Sequence, residues 1–190
     1  NRATKGLYAP GSVLKPITAA YVLDNNIINK DWTTNCEGIY KVKDLSDSTG
    51  YKPKHCHKIE GHGQINLIES IRYSCNIYYW KLAEKITFDD WCNTVKTFGF
   101  NKITNIDLPG EYKGIIPDRK YMNKKYPPIK GAGQWSAPGA LLNNIIGQGE
   151  ILVTPLQIIQ MTNLFATQGN TFEPHLKLNK DVRQVTLDLK

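Results

Sequence analysis

Gly6-Leu7-Tyr8-Ala9-Pro10-Gly11-Ser12-Val13-Leu14-Lys15-Pro16 is the stretch around which the rest of the chain is read. Pro10-Gly11 marks a sharp turn. Beyond it Val13, Leu14, Ile17, Ala20 and Tyr21 recur at helical spacing, which predicts a helix ending near Asn25-Asn26. Positions i and i+3 share a helix face, so Ser12 Oγ and Lys15 Nζ are expected to meet. That pair suits a serine nucleophile with a lysine base, provided burial lowers the lysine pKa enough to leave a neutral amine. Pro16 is awkward there, since it lacks an N–H and biases Lys15 away from helical geometry. The spacing alone decides little: six serines and twenty lysines in 190 residues give about 0.6 chance matches.

The bulk properties exclude some classes. A length of 190 residues suits one domain with a real core. No apolar run approaches the roughly 18 residues of a membrane span. The absence of an initiator methionine before Asn1 leads us to expect a single, incomplete domain over residues 1–190. The net charge of +7 comes from scattered lysines, with groups at Lys52, Lys54, Lys58 and at Lys120, Lys124, Lys125. No nucleic-acid-binding motif accompanies them, so we read a solvated surface and no nucleic-acid partner.

Residues 30–64 show no sustained period and carry turn residues at Asp47-Ser48-Thr49-Gly50 and Gly61-His62-Gly63. Alternation in Ile39-Tyr40-Lys41-Val42-Lys43 predicts a strand of a small hairpin, in a segment with too little core to hold itself. Helical pattern returns over residues 66–73, breaks at Ser74-Cys75-Asn76 and resumes through Tyr78, Tyr79, Leu82 and Ile86. A further amphipathic helix runs over 88–98, with Asp89 and Asp90 in its first turn and Cys92 on its apolar face. Residues 99–149, rich in Gly and Pro, are expected to be irregular. Thr154-Pro155 starts a last helix that stops at Gln168-Gly169, and Val185, Leu187 and Leu189 suggest one terminal strand.

Ser74-Cys75-Asn76, between two helices, supplies a second element of the same chemistry. A hydroxyl there can relay a proton to a leaving nitrogen, and the asparagine amide can hold an acyl-amide group. The plain alternatives are an N-cap for Ser12 and a helix-start cap for Asn76. Asp107, Glu111 and Glu150, in turn-rich surroundings, read as scaffold. Gly147 and Gly149 read as sites of close backbone packing or positive φ, and Tyr78, Tyr79, Trp80, Trp91 and Trp135 as core.

With Asn1-Arg2-Ala3, Gly61-His62-Gly63, Ser74-Cys75-Asn76-Ile77-Tyr78-Tyr79, Ile106-Asp107-Leu108-Pro109-Gly110-Glu111 and Ile146-Gly147-Gln148-Gly149-Glu150, the chain resembles the transpeptidase domain of class B penicillin-binding proteins, in particular the penicillin-binding protein 2 branch. The resemblance runs in order from Asn1 to about His175. It implies an α+β, mainly helical part of the penicillin-binding protein and serine β-lactamase-like fold, with a small hairpin and little of the sheet. It implies attack on the D-Ala-D-Ala end of peptidoglycan stem peptides through an acyl-enzyme on Ser12, with Lys15 as base, Ser74 as relay and Asn76 as substrate anchor. β-Lactam antibiotics would acylate the same serine. The resemblance further implies a membrane-anchored parent of the bacterial inner membrane, a periplasmic catalytic domain and a membrane-embedded glycan polymerase as partner.

One departure stands out: no Lys-Ser-Gly or Lys-Thr-Gly occurs in the chain. The family uses that strand for the substrate carboxylate and one oxyanion-hole donor, and losing such a donor costs roughly 10²–10³ in rate. We therefore expect the isolated chain to be at best a feeble acyl acceptor. The readings that compete with the enzyme are a non-catalytic penicillin-sensing or scaffold module and, behind it, a serine β-lactamase.

Cys36, Cys56, His62 and Cys75 form a second constellation, spaced C-x19-C-x5-H-x12-C. Three thiolates and an imidazole are a common closed set for Zn2+, and the poorly cored segment 30–64 is where such a staple is useful. Some penicillin-binding protein 2 homologues carry zinc in this region on Asp, Asp, His and Cys; here two carboxylates would be replaced by thiolates. Zinc at Cys75 would tie the loop bearing Ser74 and Asn76 to the hairpin. A Cys36–Cys56 disulfide, or free thiols, are the alternatives, and His57 is the substitute ligand should His62 point away. His55 and His175 read as surface residues.

Overall fold

Pro16 is accommodated by a change of helix type. The structure is a computed structural model that describes residues 1–43, 50–127, 135–178 and 181–187. A short α1 (Arg2–Lys5) is capped by Asn1 Oδ1, which accepts from Ala3 N at 2.9 Å. The chain then turns at Gly11, φ 62°, and Gly11–Leu14 forms one 3-10 turn. Helix α2 (Lys15–Asp24) starts only after it. Pro16 thus falls in the first turn of α2, where its missing N–H has no intrahelical role.

The loop-rich segment contains two antiparallel pairs where one hairpin is expected. β1 (Thr34–Cys36) pairs with β4 (Gly63–Ile65), and between them β2 (Ile39–Lys43) pairs with β3 (Tyr51–His55). Three-residue strands carry too little alternation to announce β1 and β4 in the sequence. The turn expected at Asp47-Ser48-Thr49 lies outside the described residues.

Helix α3 (Leu67–Arg72) opens with a capping box: Asn66 Oδ1 accepts from Glu69 N at 3.0 Å and Glu69 Oε2 accepts from Asn66 N at 2.9 Å. It buries Leu67 and Ser70, while Ile68 is 69% exposed, so part of its apolar pattern faces away from the core. α4 (Asn76–Ala83) and α5 (Phe88–Thr97) follow where the pattern places them, α5 capped by Thr87.

The expectation of irregular structure over 99–149 is corrected. α6 (Arg119–Lys125) and α7 (Ala137–Asn144) lie within it, each started by a side-chain cap, Asp118 and Ser136. α6 buries only Met122, and α7 contains Pro138 and Gly139, so neither displays a helical stripe. α8 (Pro155–Ala166) begins with the Thr154–Gln157 capping box. β5 (Asn170–Phe172) and β6 (Gln184–Thr186) form a last small pair, and Leu189 lies outside the described residues. Six short strands in three pairs among the described residues leave the helices as the body, as expected of a mainly helical α+β chain.

The core gathers where α2 packs on α3, α4 and α5 and where α7 closes over α4 and α5. Leu14, Ile17, Tyr78, Leu82, Val95 and Ile145 are all fully buried there. Two of its tryptophans are tied to polar partners: Trp91 Nε1 donates to Thr18 Oγ1 at 3.2 Å and Trp80 Nε1 to Leu142 O at 2.8 Å. Among the described residues no helix is long and apolar enough to cross a membrane.

Candidate active site and candidate metal centre

Lys15 is the first residue of α2, at its buried end, and 2% exposed. Its Nζ donates to Ser74 O at 2.6 Å, to Ser74 Oγ at 3.1 Å and to Asn76 Oδ1 at 2.9 Å. The S-x-N triplet thus meets the lysine across 59 and 61 residues of chain. Burial lowers the Lys15 pKa to about 8, opposed by the nearby Cys75 and Cys56 sulfurs, which favour the ammonium.

The expected meeting of Ser12 and Lys15 is not made by a side-chain hydrogen bond among the described residues. Ser12 is exposed on the 3-10 turn, and Lys15 Nζ has no hydrogen bond to its hydroxyl among the described residues. Ser12 O accepts instead from the Lys15 backbone N–H. Ser74 and Asn76 are what hold the lysine.

Ser74 sits between α3 and α4 with φ 50°, an uncommon conformation for a residue with a Cβ and one that concentrates at functional sites. Its N–H donates to Ile71 O at 3.1 Å and the following Cys75 N–H to Ser70 O at 3.0 Å, which closes α3. Cys75 is then the extended N-cap residue of α4, and Asn76 its first residue. One left-handed residue therefore sets the hydroxyl, the carbonyl and the amide around Lys15.

The turn before Ser12 is held by a distant segment. Gly11 N–H donates to Gly147 O at 2.8 Å, and Tyr8 and Val153 exchange backbone hydrogen bonds at 2.9 Å in both directions. Glu150 binds Lys125 and Tyr126, Asp107 caps the N–H groups of Leu176 and Lys177, and Glu111 caps those of Thr104 and Asn105. These three acids are scaffold, as their turn-rich surroundings suggest.

Cys36, Cys56, His62 and Cys75 come together with all four donor atoms within 4.8 Å of one another. His62 Nδ1 lies 3.4 Å from Cys36 Sγ and 3.7 Å from Cys56 Sγ, and Cys56 Sγ lies 4.0 Å from Cys75 Sγ. Tetrahedral ligands at zinc–sulfur bond lengths stand about 3.7 Å apart, so the donor set and its spacing fit Zn2+. Hydrogen bonding between the paired sulfurs lowers the Cys56 thiol pKa and raises that of Cys75. All four cysteines are free, so the Cys36–Cys56 disulfide is not formed. His62 points inward, stacked on Tyr73 at 5.7 Å, and His57 lies beside it at 5.1 Å. Gly61 lets the loop close: a Cβ there would stand 2.0 Å from Cys36 O. Cys92 is 1% exposed and away from this cluster, a core residue.

Two contributors escaped the sequence reading. Tyr79, read as core, lies beneath Lys15 Nζ, 5.3 Å from the ring centroid; its position three residues after Asn76 on the same helix face was the available signal. The backbone meeting of Gly11 with Gly147 has no side-chain signature beyond the glycines themselves.

Over residues 1–186 the sequence matches the family described as the penicillin binding protein transpeptidase domain, and the chain belongs to that family. More particularly, it is similar to proteins named peptidoglycan D,D-transpeptidase MrdA and to structures of penicillin-binding protein 2. The MrdA of Acinetobacter baumannii is 33% identical over 183 residues, which cover 93% of this chain and 25% of that protein. The MrdA of Escherichia coli K12 is 28% identical over 187 residues, 97% of this chain and 28% of that protein. The structure of the Helicobacter pylori complex between penicillin-binding protein 2 and MreC matches with a TM-score of 0.85 and 31% identity, covering 98% of this chain and 32% of that one. Pseudomonas aeruginosa penicillin-binding protein 2, in complex with WCK 5153, matches with a TM-score of 0.80 and 29% identity, covering 98% and 42%. The chain thus spans about a quarter of the length of the curated relatives it matches.

Proposed function

We propose that this chain forms the serine-bearing part of a peptidoglycan D,D-transpeptidase that cross-links stem peptides outside the cytoplasmic membrane and is acylated by β-lactams. The observation that carries the reading is the seating of Lys15 Nζ by Ser74 and Asn76, inside a family of that activity. Neutral Lys15 has two N–H groups and one lone pair. Ser74 O and Asn76 Oδ1 can only accept, so the lone pair is left to a hydroxyl, Ser74 or Ser12.

In this reading Ser12 Oγ attacks the carbonyl carbon of the penultimate D-Ala, and its proton passes to Lys15. The C–N bond to the terminal D-Ala breaks, and that nitrogen leaves with a proton handed on through Ser74. The amine of a second stem peptide then attacks the ester carbonyl, giving up one proton to the Ser74–Lys15 pair, which returns a proton to Ser12 Oγ as the ester C–O bond breaks and the new amide forms. Because Asn76 Oδ1 faces Lys15, its NH2 remains to donate to the substrate's acyl-amide carbonyl. A glycan polymerase is the natural partner: one similar structure, 25% identical with a TM-score of 0.83, is titled for coordination of polymerization and crosslinking by a peptidoglycan synthase complex.

The same proposal places Zn2+ on Cys36, Cys56, His62 and Cys75, as a closed four-ligand site that supplies structural rigidity and no chemistry. Cys75 lies between Ser74 and Asn76, so the site braces the loop that seats Lys15.

The test is fluorescent-penicillin labelling with peptide mapping by mass spectrometry. The expected result is slow labelling confined to Ser12, abolished by Ser12→Ala and slowed by Ser74→Ala. An adduct on another residue, or labelling that survives Ser12→Ala, overturns the reading. Rapid stoichiometric labelling would show that the missing Lys-Ser/Thr-Gly strand is dispensable.

A further inference from the structure

Resting on the transpeptidase reading above, we propose that Tyr79 is a positioning residue for Lys15, its ring face seating the ammonium that forms when Lys15 takes up the serine proton. Lys15 Nζ lies 5.3 Å from the ring centroid, inside the range of about 6 Å in which a cation is held by the aromatic quadrupole. Tyr79 is 0% exposed and Lys15 is 2% exposed, so both are buried from bulk solvent.

The ring matters here because of what the lysine lacks. Its hydrogen-bond partners are Ser74 O, Ser74 Oγ and Asn76 Oδ1, and among the described residues none is a carboxylate. The other titratable groups that face Nζ are the thiols of Cys75 and Cys56. A carboxylate partner would hold the proton too firmly for a base that must release it. Neutral oxygens and a ring face stabilise the ammonium by less, which keeps both protonation states within reach.

The ring, not the hydroxyl, carries this role. The Tyr79 hydroxyl faces Ser70 and is not among the hydrogen-bond partners of Lys15 Nζ, which are Ser74 and Asn76. The ring plane is fixed by burial on α4 and by Tyr78, whose ring lies 5.9 Å away at 59°. Asn76 and Tyr79 are three residues apart on α4, so one helix face presents both an oxygen acceptor and the ring to Lys15. During acylation positive charge develops on Nζ, and a group that binds the ammonium better than the amine accelerates that step.

The test varies the quadrupole at constant shape. Phenylalanines with one, two and three ring fluorines replace Tyr79 in the full chain and are compared with Tyr79→Phe, at equal zinc content and equal thermal midpoint. The first readout is NMR of Lys15 labelled at Cε. We expect its Hε protons to be shielded by the ring, the shielding to vanish in Tyr79→Leu, and the titration midpoint to fall stepwise with each fluorine. The second is the plateau rate of penicillin acylation at high pH, expected to fall by about 3- to 10-fold by the third fluorine. Unshielded Hε protons, or a midpoint and rate that ignore fluorination, overturn the proposal. Midpoints that fall in a chain whose Ser12 takes no acyl group would uphold the ring seat and sink the transpeptidase reading. Ser12 acylation that is flat across the series would do the reverse.

Discussion

Gly11 and Gly147 meet backbone to backbone. Gly11 N–H donates to Gly147 O at 2.8 Å, and a Cβ on Gly147 would stand 1.9 Å from Gly11 O. Gly147 also has φ 73°, which residues with a Cβ rarely adopt. The turn that presents Ser12 is thus set by a segment more than a hundred residues away in sequence. Gly147→Ala is expected to cost about 2–3 kcal/mol, from left-handed strain plus the forced shift of the Gly11 backbone. Penicillin labelling of Ser12 should fall further than the loss of folded protein explains. Denaturant unfolding paired with labelling at full native population checks this, and an unaffected labelling rate would contradict it.

The pH dependence follows from Lys15. Its pKa in the fold is about 8 against an ordinary 10.5. Between those values the unfolded chain binds the extra proton, so this group makes stability rise with pH from about 8 to 10.5; below 8 both states are protonated and the cost of burying the ammonium is fully present. That cost is on the order of 3 kcal/mol. Acylation of Ser12 is expected to rise with pH through the same midpoint near 8 as the free amine appears. Urea unfolding of the native chain and of Lys15→Met over pH 7–11 checks the first effect, since the variant should lose the slope.

Removal of metal should loosen the hairpin segment first. We expect about one Zn2+ per chain by elemental analysis, and a thermal midpoint roughly 5–10 °C lower after chelation. Cobalt substitution should give thiolate-to-metal charge-transfer bands that weaken in Cys75→Ser and in His62→Ala. A metal-free preparation with an unchanged midpoint and no cobalt bands would dispose of the site.

Gln157 is a structural keystone with no part in the chemistry. It is 2% exposed; its Oε1 accepts from Thr154 N at 2.9 Å, and its Nε2 donates to Lys102 O and to Lys113 O, each at 2.9 Å. Gln157→Ala strands one donor and two acceptors, with an expected loss of about 2–4 kcal/mol in unfolding free energy. Gln157→Glu, which can still accept from Thr154 but cannot donate to the carbonyls, should recover little of it.

Caps and hydrophobic periods determined much of this protein before any tertiary contact was considered. Asn66 with Glu69, Thr87 and Thr154 with Gln157 start α3, α5 and α8 by local hydrogen bonds, and apolar stripes alone mark α2 and α4, whose starts have no side-chain cap. Residue type and spacing offered Ser12, Lys15, Ser74, Asn76 and the Cys36, Cys56, His62, Cys75 set as candidates, and the resemblance to a known family, carried by the flanking motifs, singled out the first four. α6 and α7 stayed hidden because one or a few buried positions make no visible period.

Tertiary structure alone decided what each site residue touches. The spacing puts Lys15 beside Ser12; the packed fold brings Lys15 to Ser74 and Asn76, some sixty residues on, with Tyr79 beneath it. Local spacing can specify a helix face. It cannot specify which distant acceptors will satisfy a buried amine, because that depends on the packing of α2 against α3 and α4.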